Sequence, residues 1–195
     1  MTKGGIDIIR VIGGAVKGAK LKTPKGMNTR PTADSVKESV FNILNPDIPE
    51  SIVLDLFAGT GALAIEALSR GAKKAYLVEQ NKNGCTIIKE NLKHTKLTEN
   101  SFVYCQKASS FIRDVAKKGV QFDIIFIDPP YLKNFIQETL QLLVENGIIK
   151  NEGIVIVEHS KKDTVPQCIE TLTNKRTEHY GDTCVSFFVN YIDGE

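Results

Sequence analysis

The sequence predicts an α/β fold, with a mostly parallel sheet covered by helices on both faces and closed by an antiparallel hairpin. Three observations predict it. From residue 52 onward, short apolar runs alternate with segments of helical period. Runs such as Ile52–Leu56 and Phe122–Ile127 are apolar nearly throughout, the pattern of strands buried on both faces. Near the end, Lys175–Tyr180 and Cys184–Tyr191 are β-rich and joined by the turn pair Gly181-Asp182.

The elements follow in order. Residues 1–30 read as short strands and turns: Ile8–Ile12 is β-rich, Gly13-Gly14 breaks it, and Lys20-Leu21-Lys22 alternates before Pro24. We read them as a basic β-hairpin extension that cannot bury enough surface to stand alone, attached to a main domain of residues 31–195. After Arg30-Pro31 comes a helix with Val36, Val40, Phe41 and Leu44 on one stripe. Thr32 or Ser35 can cap it, and Asn45-Pro46 ends it. The strand Ile52–Leu56 leads to a helix over Ala62–Arg70, closed by Gly71. Strand Ala75–Val78, helix Lys82–Lys96, strand Phe102–Cys105, helix Ser109–Lys118 and strand Phe122–Ile127 come next. Helix Phe135–Glu145 and strand Ile154–Val157 precede the final hairpin.

Composition narrows the function classes. The chain has 195 residues, 42% hydrophobic and 25% charged, enough for one core without disulfides or metals. No apolar run approaches the roughly 18 residues that span a bilayer, so we expect a cytoplasmic protein with no membrane partner. Cys85, Cys105, Cys168 and Cys184 are scattered, as are His94, His159 and His179, and neither set has metal-ligand spacing. We expect reduced, mostly buried thiols. Charge is uneven: residues 1–40 carry eight Lys or Arg against three acids, a net +5, while the remainder is −3. A basic arm on a slightly acidic body suits a polyanion. Arg10, Lys17, Lys20, Lys22 and Arg30 are its candidate nucleic-acid contacts, against the plainer reading of a solvated terminus.

Two motifs carry chemistry. Asp55-Leu56-Phe57-Ala58-Gly59-Thr60-Gly61 lies where the first parallel strand meets its helix, the ligand edge of such sheets. Glycines there let the backbone turn and approach a ligand. Glu79 ends the second strand and can accept from ribose hydroxyls. Gly59-x-Gly61-x-x-Ala64 also fits the dinucleotide fingerprint. Asp55 tilts the choice: a pyrophosphate gains nothing from a carboxylate, whereas a cationic cofactor such as S-adenosylmethionine does. An NAD-dependent oxidoreductase is the competing class.

The second motif, Asp128-Pro129-Pro130-Tyr131, follows the fourth strand. Two prolines stiffen the loop. The Asp128 carboxylate and the Pro129 carbonyl are acceptors for the two N–H groups of a planar aromatic amine. That leaves its lone pair free to attack, and Tyr131 offers a face for a base to stack on. Methyl transfer to such an amine is an in-line displacement that positioning can accelerate. Whether Asp128 also takes a proton stays open.

With these motifs and the N-terminal pieces Arg10–Gly14, Lys17–Leu21, Arg30–Glu38 and Glu66–Ala72, the chain resembles the bacterial small-subunit ribosomal RNA guanine-N2 methyltransferases of the RsmD type. The resemblance implies a Rossmann-like class I methyltransferase domain with a seven-stranded sheet and a hairpin over the active site. Its expected cofactor is S-adenosylmethionine, held by Asp55, Phe57, Gly59, Gly61, Glu79 and Ala108. Its expected partner is ribosomal RNA, within a small-subunit particle, met by a monomer. The residues alone leave adenine N6 open beside guanine N2. A non-catalytic RNA-binding module would not need Asp128. Two positions depart from the family pattern: Ala19 stands where a basic residue is common, and Lys107 where Asp or Asn is.

Overall fold

A computed structural model describes residues 9–24, 31–129 and 135–192 of the chain. The elements in chain order are α1 (Pro31–Ile43), β1 (Ile52–Asp55), α2 (Ala62–Ser69), β2 (Lys74–Val78), α3 (Lys82–Thr95), β3 (Ser101–Tyr104), α4 (Ala108–Ala116), β4 (Phe122–Ile127), α5 (Phe135–Glu145), β5 (Ile149–Ser160), β6 (Cys168–Ile169), β7 (Leu172–Tyr180) and β8 (Thr183–Asn190). They build one sheet in the order β3-β2-β1-β4-β5-β8-β7-β6. Strands β1 to β5 run parallel, and β8 lies antiparallel to β5 and β7. The α/β fold with its closing hairpin is therefore as expected, with eight strands rather than seven. The added strand, β6, is a two-residue edge pairing Cys168 with Thr173 and Ile169 with Leu172. A strand that short has no period to read.

The alternation of strand side chains explains the two cores. Val53, Ile124, Phe126 and Ile156 pack with Val36, Val40 and Phe41 of α1, Ala64 and Ile65 of α2, and Ile88 and Leu92 of α3. Leu54, Ile125, Ile127, Val155 and Val157 face the other way, against Phe111 and Ile112 of α4 and Leu140 and Leu143 of α5. Helix α1 starts at Pro31, so Thr32 and Ser35 both lie inside it and neither is its cap; proline suits the first helical position because no N–H is needed there.

The N-terminal arm makes a single antiparallel bridge, Arg10 to Lys20, supported by Val11 N–H to the Ala19 carbonyl at 3.0 Å and Gly18 N–H to Val11 at 2.8 Å. It leans on the body. Val11 and Leu21 are buried in the α1–α3 core, and Ala19 packs against it. Glu66 of α2, wholly buried, accepts the N–H groups of Ile12 and Gly13 at 2.7 Å each and the Arg70 Nε at 2.8 Å. Gly14 has φ 77°, and a Cβ there would strike the Ser69 carbonyl. Among the cysteines, Cys85 and Cys184 are buried but Cys105 and Cys168 are exposed, so half of the thiols depart from the expected burial. No group of His, Cys, Asp and Glu among the described residues has a metal-binding arrangement.

Candidate active site at the switch between β1 and β4

From β1 the chain runs outward through β2 and β3, then returns to place β4 on the opposite side of β1. The carboxyl ends of β1 and β4 therefore border the crevice where ligands bind in open α/β sheets. Both predicted loops leave from it. Asp55 is level with Phe126 in the register, and Leu56 N–H donates to the Phe126 carbonyl at 3.1 Å. Phe57, half-buried in the first loop, meets Phe135 edge-on at 5.4 Å, just past the second.

The glycine loop needs its glycines. Gly59 has φ 52° and Gly61 φ 79°, left-handed values that carry the chain from β1 into α2. Gly61 stands at the N-cap with no side-chain cap, so the first turn of α2 presents backbone donors. Glu79 accepts the Gly59 N–H at 3.0 Å and the Asn81 N–H at 2.7 Å. The carboxylate is thereby fixed over the loop. Gly84 in α3 completes the cradle: a Cβ there would come within 2.8 Å of the Glu79 Cγ. Ala108 opens α4 beyond β3 and is half-buried.

Asp55 is the unusual group. It is 1% exposed, and neither carboxylate oxygen has a hydrogen-bond partner among the described residues. Burial pushes its pKa up to about 7; the Asp128 charge adds to this, and that of Glu79 adds less. The amides of Ala64 and Phe57 oppose the rise without reaching hydrogen-bond geometry. A buried, unpartnered acid next to a glycine loop is the arrangement that a cationic ligand relieves.

Asp128, just past β4, remains open to the crevice, while Pro129 is buried. Desolvation by the chain packed around the sheet end raises the Asp128 carboxyl to about 6. Its neighbour is Glu158 of β5, raised to about 7 by burial first and by Asp128 second. Sequence reasoning missed Glu158, although the acid directly follows the apolar run Ile154–Val157; the strand itself continues to Ser160. It missed Gly84, signalled only by a glycine inside a helix, and Asn91, which nothing signals. Asn91 accepts the Lys22 N–H at 2.7 Å and donates to the carbonyls of Lys22 at 3.0 Å and Thr60 at 2.9 Å, tying arm to glycine loop.

Pro130, Tyr131 and Arg30 lie outside the described residues. Arg10, Lys17, Lys20 and Lys22 are all exposed on the arm. Lys22 is paired with Glu90 at 2.9 Å. Lys17 and Lys20 make no ion pair among the described residues.

Comparison with known proteins agrees with this arrangement. The family described as conserved hypothetical protein 95 matches residues 9–189. The chain is 36% identical over 187 residues to ribosomal RNA small subunit methyltransferase D of Escherichia coli K12, covering 96% of this chain and 92% of that protein. A solved methyltransferase structure from Escherichia coli superposes with a TM-score of 0.85 at 33% identity, covering 96% of this chain and all of that one. At 14% identity, an RNA methyltransferase from Salinibacter ruber, solved with S-adenosyl-L-homocysteine, shares the fold with a TM-score of 0.62 over 90% of this chain and 97% of that one. From the arm to the last strand, the chain belongs to the conserved hypothetical protein 95 family, that of the RsmD-type ribosomal RNA methyltransferases.

Proposed function

We propose that this chain transfers the methyl group of S-adenosylmethionine to the exocyclic N2 amine of a guanine in small-subunit ribosomal RNA. It would act as a cytoplasmic monomer on RNA within the small-subunit particle. The observation that carries the reading is the placement of an unpartnered buried acid, Asp55, beside an open acid, Asp128, on adjacent strands at the switch point. The first suits a cationic cofactor and the second an amine donor.

The residues fit the cofactor. Asp55 supplies the missing counter-charge for an ammonium group, Glu79 supplies acceptors for ribose hydroxyls, and Gly59, Gly61 and Gly84 keep the cradle free of side chains. Phe57 and Ala108 line its rim. When bound, S-adenosylmethionine supplies an electrophilic methyl on a sulfonium. The chain's own work is then positional. Asp128 and the Pro129 carbonyl accept the two N–H groups of the target amine and fix its lone pair toward the cofactor side. As the amine attacks, it gains positive charge, which Asp128 stabilises. Pro130 and Tyr131 would stiffen the loop and stack the base. The target base must leave its pair to present this edge.

The arm, residues 1–30, would hold the RNA backbone through Lys17 and Lys20, helped by Arg10, Lys22 and Arg30. The same unpartnered Asp55 counts against NAD, whose pyrophosphate would face it. Nucleoside mass spectrometry of ribosomal RNA from particles incubated with enzyme and S-adenosylmethionine tests the proposal. N2-methylguanosine is expected. N6-methyladenosine would remove the substrate assignment and leave the mechanism; no RNA methylation would remove both.

A further inference from the structure

The sheet's carboxyl edge holds more acid than the transfer of one methyl group requires. Asp55 ends β1, Asp128 follows directly on β4, and Glu158 lies on β5 two residues before that strand ends. The register pairs Phe126 with Ile156 and Ile127 with Val157. Carried one step further, it sets Asp128 level with Glu158. Ile156 and Phe126 belong to the core under α1 and α2, whereas Val157 and Ile127 face α4 and α5. Glu158 therefore projects to the α1–α2 side, the side of Asp55 and of the basic arm. Neither Glu158 nor Asp128 accepts a hydrogen bond among the described residues. Glu158 is half-buried, and the mechanism above leaves it without a task.

Resting on the reading of the substrate as guanine N2, we propose that Glu158 selects guanine by accepting its N1–H while Asp128 and the Pro129 carbonyl hold the N2 amine. The Watson–Crick edge of guanine carries two adjacent donor groups, N1–H and N2–H. Adenine places a bare N1 lone pair beside its N6 amine, and cytosine a bare N3 beside its N4 amine. A second carboxylate next to the amine-binding one therefore matches guanine and sets a lone pair against a negative oxygen for the other two. Adjacent strands stand about 4.8 Å apart, which lets neighbouring donors each meet their own acceptor. Burial and the Asp128 charge raise Glu158 to about 7, so the carboxylate lacks the solvation that a donor from the base would replace. A site built to bond a donor rejects the analogue lacking it far more strongly than a merely apolar pocket does.

The test uses two RNA substrates that differ at the target base alone: guanine, or 2-aminopurine, which keeps the N2 amine and has no N1–H. Wild-type enzyme, Glu158→Gln and Glu158→Ala are compared by kcat/KM on each. In Glu158→Ala, loss of one charged hydrogen bond should lower the guanine value on the order of 10- to 100-fold, and Glu158→Gln, whose amide oxygen can still accept N1–H, should lose less. The 2-aminopurine value should move by less than about threefold, since that bond is already missing there. The preference for guanine then collapses. Equal losses on both substrates, or no loss on guanine, in Glu158→Ala overturn the proposal. So does a loss of S-adenosylhomocysteine affinity in Glu158→Gln, which would assign the residue to the cofactor or the fold. Failure of the substrate reading is seen separately, as wild-type enzyme that makes no N2-methylguanosine.

Discussion

Replacing Asp55 with Asn should stabilise the ligand-free protein at alkaline pH and change it little in acid. The folded carboxyl titrates at about 7, against an ordinary 3.8. A raised acid favours the fold while it is protonated, and that advantage is lost as pH climbs from 3.8 through about 7. At about 1.4 kcal/mol per pH unit, the ionised group costs the fold on the order of 4 kcal/mol above that range. Relaxation and entering water reduce this, and half of it, roughly 2 kcal/mol, is a fair expectation. For a chain of this size each kcal/mol moves Tm by roughly 2–4 °C, so the variant should melt roughly 4–8 °C above wild type at about pH 8. The difference should fall to roughly a third of its alkaline value at about pH 5 and vanish only below 3.8, where the carboxyl is protonated in both the folded and the unfolded chain. Thermal unfolding of the two proteins across that range is the assay. Asp128 and Glu158 titrate in both, so the difference isolates Asp55 to first order. A Tm difference that stays flat from acid to alkali would refute the buried, unpartnered acid as the source. The same variant should also bind S-adenosylhomocysteine more weakly, because the ligand's ammonium loses its counter-charge.

Four further outcomes are expected. Asp128→Ala should lower kcat on the order of 100-fold, as loss of a charged acceptor in the transition state does, while calorimetry finds S-adenosylhomocysteine affinity near wild type; normal turnover would sink the role given to this loop. Wild-type kcat/KM should rise from about pH 5 to pH 8 as Asp128, raised to about 6, and its neighbour Glu158, raised to about 7, lose their protons, and a flat profile would contradict it. Gly84→Ala should leave stability within about 1 kcal/mol, since alanine favours a helix, yet weaken cofactor binding by displacing Glu79; unchanged affinity would show that the cradle tolerates a methyl group. Lys17→Ala with Lys20→Ala should reduce the slope of log affinity for RNA against log salt by about one unit for each phosphate no longer neutralised, and an unchanged slope would return the arm to a solvated terminus.

The parallel half of the fold is legible because strands buried on both faces must be apolar throughout, and Ile52–Leu54 and Ile124–Ile127 are. The site is legible for a related reason. A polar residue at the end of such a strand has no structural cause, so Asp55, Glu79 and Asp128 stand out. Glu158 follows the apolar run Ile154–Val157 within β5 and escapes notice because no motif surrounds it. The arm is hardest to read. Its Ile12 and Gly13 amides are satisfied by Glu66, which lies 54 and 53 positions away in sequence. Glu66 on α2 looks like any charged helical residue, and only the fold shows that it is wholly buried, with Lys37 3.8 Å away and Arg70 beside it. Long-range pairing of this kind leaves no local period.

The distribution of charge gives the two halves of the molecule separate tasks. Four acids, Asp55, Glu79, Asp128 and Glu158, lie at or near the carboxyl ends of their strands, where their negative charge, once ionised, would also act on any phosphate brought near. In the reading proposed above, an RNA strand gains little by laying its backbone across these carboxylates, whereas a base presenting N–H groups finds acceptors there. The phosphates must be held elsewhere, and Lys17 and Lys20 are exposed on the arm. The arm is not a loose tether. Glu66 grips its backbone amides from α2, and Asn91 joins Lys22 to Thr60 in the glycine loop. The segment proposed to hold the backbone is thus packed onto α2 and α3 and tied to the glycine loop. On the proposed reading, a base flipped from a strand held on the arm would meet carboxylates that repel its phosphates and accept from its amine.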